Sequence, residues 1–429
     1  MSACGRCRGR IAAAGHGETA ARGDGGARAA GWSDGLPGGR SAPGRRSPGA
    51  LASGAMRLLA LGMSAAALTA AVSVPVAVGT PAGAAARPSW ALKDTGTDAR
   101  FRGLAAVGRT TAWLAGSAGT VLRTADGGRS WQNVSPPGAA AEALEFRDVE
   151  AFDGRRAVVL AIGEGEASRV LRTEDGGATW AEAFRNTDAR AFYDCMAFFD
   201  HRNGLAVSDP VDGKFRILST ADGGRSWQVL PDAGMPEALP GEAGFAASGQ
   251  CLVTAGPRDV WLATGGGATG RVLHSADRGR TWRAATTTVP AGEGAKGVFG
   301  LAFRDRGYGA ARGLAVGGDY RKDQASPLAA SVTADGGRSW SAASVPPAAY
   351  RSGVAWLPYG SYAPTGSYGS YGPLGKDAAL AVGPTGTDIT HDAGRTWQSF
   401  DAGSFDTVDC AGPGACWAAG EKGRAARLE

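Results

Sequence analysis

The stretch TADGGRSW stands three times without a change, at residues 124–131, 220–227 and 333–340. TEDGGATW (173–180), SADRGRTW (275–282) and THDAGRTW (390–397) are near copies, so the pattern [ST]-x-D-x-G-x-[ST]-W occurs six times. A reacting group is needed once, whereas a motif repeated six times is a building unit. An Asp carboxylate accepts bonds from N–H groups of its own turn and from a flanking hydroxyl, and Gly tolerates a positive φ. The spacing therefore predicts a rigid hairpin turn at Asp126, Asp175, Asp222, Asp277, Asp335 and Asp392. Trp131, Trp180, Trp227, Trp282, Trp340 and Trp397 each open the strand that follows, with the ring expected to pack beside the next repeat.

Outward from the first copy, residues 101–134 contain four apolar runs, GLAAV, AWLAG, TVLRT and SWQNV, separated by Gly-containing turns. That is four short strands per unit. The unit restarts near Phe146, Phe192, Ser248, Gly297, Arg351 and Phe405, which makes seven starts for six turns. The last unit stops before its turn, and SWALKDT at residues 89–95 looks like a post-turn strand with nothing in front of it. Joining the ends resolves the mismatch. The Trp-to-Trp period, about 41 to 58 residues counted from Trp90, suits propeller blades. Ring closure would also remove exposed sheet edges. The expected fold is all-β: a seven-bladed propeller over residues 87–429, closed by its N-terminal strand.

Residues 1–55 are rich in Gly, Ala and Arg and hold too little apolar side chain for a core; they read as disordered or as an extension of the true start. Residues 56–86 read as a signal peptide, with small residues at Ala84 and Ala86 before Arg87. The apolar run 58–78 is also long enough for an uncleaved membrane tether. The protein is accordingly expected to be exported, extracellular or held at the cell envelope. Residues 1–86 carry nine Arg against three acidic groups, which leaves 36 basic and 37 acidic residues in the remainder. The folded part is near neutral, so a nucleic-acid partner is not expected. Cys410 and Cys416, on the arms of one hairpin, are expected to form a disulfide in an exported protein. Cys195 and Cys251 fill an apolar position held by Leu104, Val149 and Val354 in other units, and read as unpaired packing residues.

Enzyme signatures are sparse. GGGATG (265–270) contains G-x-G-x-x-G, but a strand follows it, not the helix a pyrophosphate needs. His201, His274 and His391 fall in different units without ligand spacing. No metal or cofactor is expected.

The six turns resemble the Asp-box, or bacterial neuraminidase, repeat, which sits between the third and fourth strands of a propeller blade. Sialidases of that group carry an Arg-Ile-Pro segment, and FRIL (215–218) lacks the Pro. Through GSAGTVLRTADGGRSW the chain is similar to the photosystem II assembly and stability factor family of seven-bladed propellers. That resemblance implies a non-enzymatic scaffold, a monomer, with a protein or peptide partner. The alternative is an enzyme: a glycoside hydrolase using Asp209, Asp212 or Glu242, or an oxidoreductase with an unseen cofactor.

If the turns face one side, the loops between second and third strands face the other. SDPVDGKFR (208–216) and GGDYRKDQASP (317–327) exceed what a blade requires, and the connection at 231–249 is long. Asp209, Asp212, Lys214, Arg216, Asp319, Tyr320 and Arg321 are the candidate ligand-binding residues, joined by Tyr193 and Asp194. The connection at 231–249 is expected to bridge between the two loops, with Glu242 in reach. The Tyr-, Gly- and Ser-rich run at 358–375 reads as a neutral insertion on the turn face.

Overall fold

The computed structural model describes residues 88–304, 311–358 and 375–429. The leader, including its signal-peptide and tether readings, and nearly all of the insertion at 358–375 lie outside them. Within the described residues every strand belongs to one of seven four-stranded antiparallel sheets, and no helix is long and apolar enough to cross a membrane. The sheets are the blades. Their inner strands are Phe101–Ala106, Glu145–Ala151, Tyr193–Phe198, Leu252–Ala255, Lys296–Arg304, Gly353–Trp356 and Thr407–Cys410.

Second strands lie between neighbouring blades and are covered on both faces. Ala112–Gly116 and Ala379–Gly383 are buried at every position, which is why they read as continuous apolar runs rather than alternating ones. Outer strands such as Gln132–Asn133 are exposed.

Blade seven is completed from both termini. Trp90–Lys93 pairs antiparallel with Ala425–Leu428, with Trp90 opposite Leu428 and Lys93 opposite Ala425. Ser89 and Glu429 exchange both backbone bonds at 2.9 and 3.0 Å, and the Trp90 indole donates to Thr387 Oγ1 at 3.1 Å.

Each repeated turn has the anticipated chemistry. In blade three the Thr220 hydroxyl donates to Asp222 Oδ1 at 2.8 Å and accepts from Gly224 N at 3.0 Å. Asp222 also receives Ser226 N at 3.0 Å and Ser226 Oγ at 2.6 Å. The two residues after the Asp take positive φ in every copy, 78° and 81° at Gly223 and Gly224, and Arg278 (61°) and Ala393 (62°) tolerate it where Gly is missing. Hydrogen bonds from Ser130 hold Asp126 down to about 2, and Asp175, Asp222 and Asp335 sit at the same level.

The Trp rings pack toward the preceding blade, opposite to the sequence expectation. Trp282 of blade four joins Leu205 and Phe215 of blade three, and Trp397 of blade six joins Leu314 of blade five. The reason is the turn itself: it folds the outer strand back so that Trp lies under its own box, and the indoles of Trp282 and Trp397 donate to Gly279 O and Gly394 O. Contact with the following blade comes instead from second-strand Trp and third-strand Arg. Trp113, Trp261 and Trp417 donate to Asp153 O, Gly336 O and Gly108 O, and Arg172 to Gly223 O.

Cys410 and Cys416 are paired across their hairpin as expected. The unpaired reading of Cys195 and Cys251 is overturned, for they form a disulfide with Cα atoms 6.0 Å apart. Inner strands of adjacent blades converge toward the axis, so equivalent positions there come within bridging distance.

Deleting residues 89–95 removes the outer strand of blade seven; the expected result is loss of protease resistance in the whole ring, checked by limited proteolysis against the parent. Asp222→Ala is expected to lower stability by about 1–3 kcal/mol through lost turn bonds. That contribution is present above about pH 4 and fades as pH falls through about 2, because the folded carboxyl is depressed below its unfolded value. Trp282→Ala is expected to cost more, about 3–5 kcal/mol, as a buried aromatic; urea titration of both variants checks the order.

Candidate functional site

The loop assigned to blade three is mostly strand. Gly204–Val211 and Lys214–Thr220 run to a two-residue turn in which Asp212 and Gly213 take φ of 54° and 84°, the left-handed pair a tight hairpin requires. Asp212 lies at the exposed tip and meets Arg190 at 2.7 Å; Arg190 meets Asp188 at 2.9 Å, and Asp188 meets Arg216 at 3.0 Å. Bonds from Arg190 and Arg216 hold Asp188 well below the usual carboxylate range. Tyr193, beside Arg216, is pushed up to about 12 by burial. Lys214 lies 3.7 Å from Glu237.

In blade five, Asp319 is buried and caps a short 3₁₀ turn, Tyr320–Lys322, by accepting from Arg321 N at 3.0 Å. Tyr320 is 39% exposed, with the Arg321 guanidinium 5.9 Å from its ring centre. Among the described residues no hydrogen bond or ion pair joins this turn directly to the ionic chain of blade three.

The long connection links them differently from the expectation. Glu242 does not reach outward; it is buried and receives Arg271 Nε at 2.8 Å, Thr264 Oγ1 at 2.5 Å and Leu239 N at 2.7 Å. The chain then turns into the ring. Gly244 N donates to Asp209 Oδ1 of blade three at 2.8 Å, and Phe245 stacks on Phe299 of blade five with ring centres 4.0 Å apart. Residues 244–250 cross the axis as a plug. Ser248 Oγ donates to Ser352 O at 2.8 Å and Ser248 O accepts from Thr407 at 3.1 Å. The Gln250 side chain donates to Val408 O at 2.7 Å and accepts from Val354 N at 2.8 Å, while its carbonyl accepts from Leu301 N at 3.0 Å. Inner strands of a ring have no sheet partner on their axial edge, and the plug supplies part of what they lack. The Cys195–Cys251 bridge anchors its far end.

The mouth around the plug is shaped by a feature that the sequence reading missed. In blades one, two, three and five the inner strand carries a bulge at the same register, skipping Arg102, Arg147, Asp194 and Phe299. A bulge breaks the two-residue alternation and re-aims one side chain. Three of the four hold the plug: Arg147 donates to Ala246 O at 3.1 Å, Asp194 abuts Gly244, and Phe299 carries Phe245. Arg102 holds nothing. It is half-buried and makes no hydrogen bond or ion pair among the described residues, because neighbouring Asp406 is bound by Arg100 in a two-bond clamp of 2.7 and 2.9 Å. Burial and then repulsion from Arg100 lower its proton affinity. Tyr350 shares this environment and is pushed up by burial; with Tyr320 it flanks Phe299 edge-on at 4.9 and 6.0 Å.

Each carboxylate named for hydrolysis is engaged with its own partner: Asp212 is on Arg190, Glu242 on Arg271, and Asp209 on Gly244. Deeper in the channel, Asp148 accepts from Met196 N at 2.7 Å and Asp409 from Ala106 N at 2.8 Å, each serving the edge of the next inner strand. Burial raises Asp148 to about 8 and pushes Glu150 and Asp409 up as well. Among the described residues no group of three or more His, Cys, Asp or Glu is placed to hold a metal.

No protein-family profile matches the chain, and no curated protein matches it in sequence. In fold it is a seven-bladed β-propeller similar to known ones. The solved structure of YCF48 bound to D1 peptide aligns over 82% of this chain and 99% of its own, at 17% identity and a TM-score of 0.51. YCF48 from Cyanidioschyzon merolae aligns over 79% and 98%, at 15% identity and a TM-score of 0.51. At such identities the likeness concerns the fold, and that fold is the one expected from the sequence.

Because Asp148 is raised from its unfolded value, the folded state keeps a proton that the unfolded chain has lost between about pH 4 and pH 8. Stability is therefore expected to fall as pH rises through that window. Asp148→Asn, which still offers an acceptor to Met196 N, is expected to be more stable than the parent at pH 8 and to show a shallower decline from pH 5. Urea midpoints at the two pH values check it, and equal slopes would refute the assignment.

Proposed function

We propose that this protein is a non-enzymatic recognition scaffold, assembly-factor-like, that takes a protein or peptide segment on the face away from the repeated turns. One observation carries the reading: of four side chains re-aimed by equivalent bulges, three secure the plug and Arg102 is left unpaired at the mouth. An unpaired guanidinium in a partly desolvated setting favours a carboxylate, to which it can give two parallel bonds. The aromatic group of Tyr320, Phe299 and Tyr350 beside it offers apolar contact for the rest of a chain. The peptide in the YCF48 structure is consistent with a peptide partner on this kind of ring. An exported location, inferred from residues 56–86, belongs to the same proposal.

The test is an array of short peptides that differ in acidic content and in carrying a free or an amidated C-terminus. Members with a free or side-chain carboxylate are expected to be retained. Arg102→Gln is expected to weaken them about tenfold or more, the scale of a charged hydrogen bond, with an unchanged melting temperature. Arg129→Gln, on the turn face, is expected to have no effect. Equal retention by the Arg102 variant and the parent would overturn the site.

A further inference from the structure

The plug begins at a pair of carboxyl groups that no solvated loop would need. Asp194, on the inner strand of blade three, is 3% exposed, and its Oδ2 is buried without a hydrogen-bond partner. Its neighbour is Asp209 of the adjacent strand, and Gly244 lies against both: its N–H donates to Asp209 Oδ1 at 2.8 Å, and it abuts Asp194 Oδ2. Two carboxylates are acceptors only and cannot satisfy one another; a single proton turns their contact into a hydrogen bond.

Residue 244 completes the arrangement. A Cβ there would stand 3.0 Å from Asp194 Oδ2, so glycine lets the backbone close over the pair. The next residue, Phe245, is the ring stacked on Phe299 beneath Tyr320 and Tyr350. The next residue after Asp194, Cys195, ties down the far end of the plug through Cys251.

We propose that the Asp194–Asp209 pair is a proton-dependent latch: with one proton shared, it holds Gly244 and keeps Phe245 on Phe299, and with none it lets the start of the plug lift and remodels the aromatic floor of the mouth. This concerns regulation of the recognition site proposed above and rests on that reading for its biological meaning, not for its test.

The charges facing the pair leave the proton as its means of relief. Arg147 from blade two is on Ala246 O and near Glu145; Asp148 of the same strand is acidic and bound to Met196 N. Arg216 from the third strand is on Asp188 beside Tyr193, and Arg271 from blade four is on Glu242. Lys296 from blade five is near Glu293 and Asp319. Residues 244–250 contain no ionisable side chain. Consistent with that setting, burial lifts Asp209 to about 6, and burial together with the Asp209 charge lifts Asp194 well above the carboxylate range. The second proton therefore leaves at a higher pH than the first, and the latch is closed below that point and open above it.

The experiment is hydrogen exchange of the whole chain, without any ligand, following residues 244–250 from pH 6 to pH 10 and dividing out the intrinsic chemical rate at each pH. In the parent, protection of this segment is expected to fall with rising pH by up to about tenfold per unit, the limit for one linked proton. Protection of the second strand of blade one, Ala112–Gly116, which is bonded to its own blade and not to the plug, serves as the unmoved reference. Asp194→Asn, an uncharged donor to Asp209, is expected to hold the protection flat. Asp209→Asn is the second variant should the first fold poorly, and is expected to flatten the profile likewise. Infrared spectra at pH 7 are expected to show a protonated carboxyl band that diminishes in Asp194→Asn.

A flat profile in the parent, or the same fall in a variant that folds, would overturn the latch. A parent that titrates as described while no carboxylate peptide binds would instead leave the latch intact and overturn the recognition reading.

Discussion

Four residue pairs, Trp90 with Leu428 through Lys93 with Ala425, hold the two ends of the chain in one sheet, and everything else in the ring is conditional on them. Without that strand, blade seven has an open edge and the ring a seam. With it, every second strand is covered on both faces, which lets runs as plain as AWLAG and ALAVG be buried at every position. The closing strand is short, so its side chains reinforce it: the Trp90 ring meets Phe405 and Phe400, and Lys93 meets Glu429 at 2.9 Å.

Closure creates a second requirement at the axis, where seven strand edges face one another without partners. The chain meets it with three devices. Asp148 and Asp409 reach across to the neighbouring strand, bulges re-aim side chains at the mouth, and residues 244–250 fill the opening. Burial pushes both carboxyls up from their usual range. The ion pairs are made elsewhere: an exposed chain runs along Asp212, Arg190, Asp188 and Arg216, and buried pairs join Arg271 to Glu242 and Arg351 to Asp388. Arg102 stands out in this setting, for it makes no hydrogen bond or ion pair among the described residues while neighbouring Asp406 is taken by Arg100.

The fold was legible because it is written locally and often. A hydroxyl, a carboxylate and two left-handed residues specify a turn within eight positions, and six copies mark the strands around them. Asp212-Gly213 is equally local: its sequence suits a loop and equally the hairpin tip that it forms. What could not be read depends on register or on distant partners. Arg102 and Arg147 follow Phe in two similar stretches, yet the bulges that re-aim them arise from pairing with the second strand. The length of the 231–249 connection was visible and its path was not, because Gln250 finds its partner 158 residues away at Val408. Cys195 and Cys251 were placed at equivalent positions of adjacent blades; the missing step was that equivalence near an axis means proximity. Glu242 was named for its charge, and its nearness to Arg271 is decided by the third strand of blade four.

The plug has a further consequence, for the order in which the molecule can be assembled. Its bonds run to blades two, five, six and seven, so it cannot be satisfied by the half of the chain that precedes it. The disulfide that anchors it needs only blades three and four. A nascent chain can thus tether the segment early and must leave it waiting until the last blade closes, at which point Gln250 gains Val354 and Val408 together. The segment acts as a sensor of completeness: a ring short of a blade would leave buried amide groups unpaired at its centre, and damage at the C-terminal edge would be felt in the middle of the sequence.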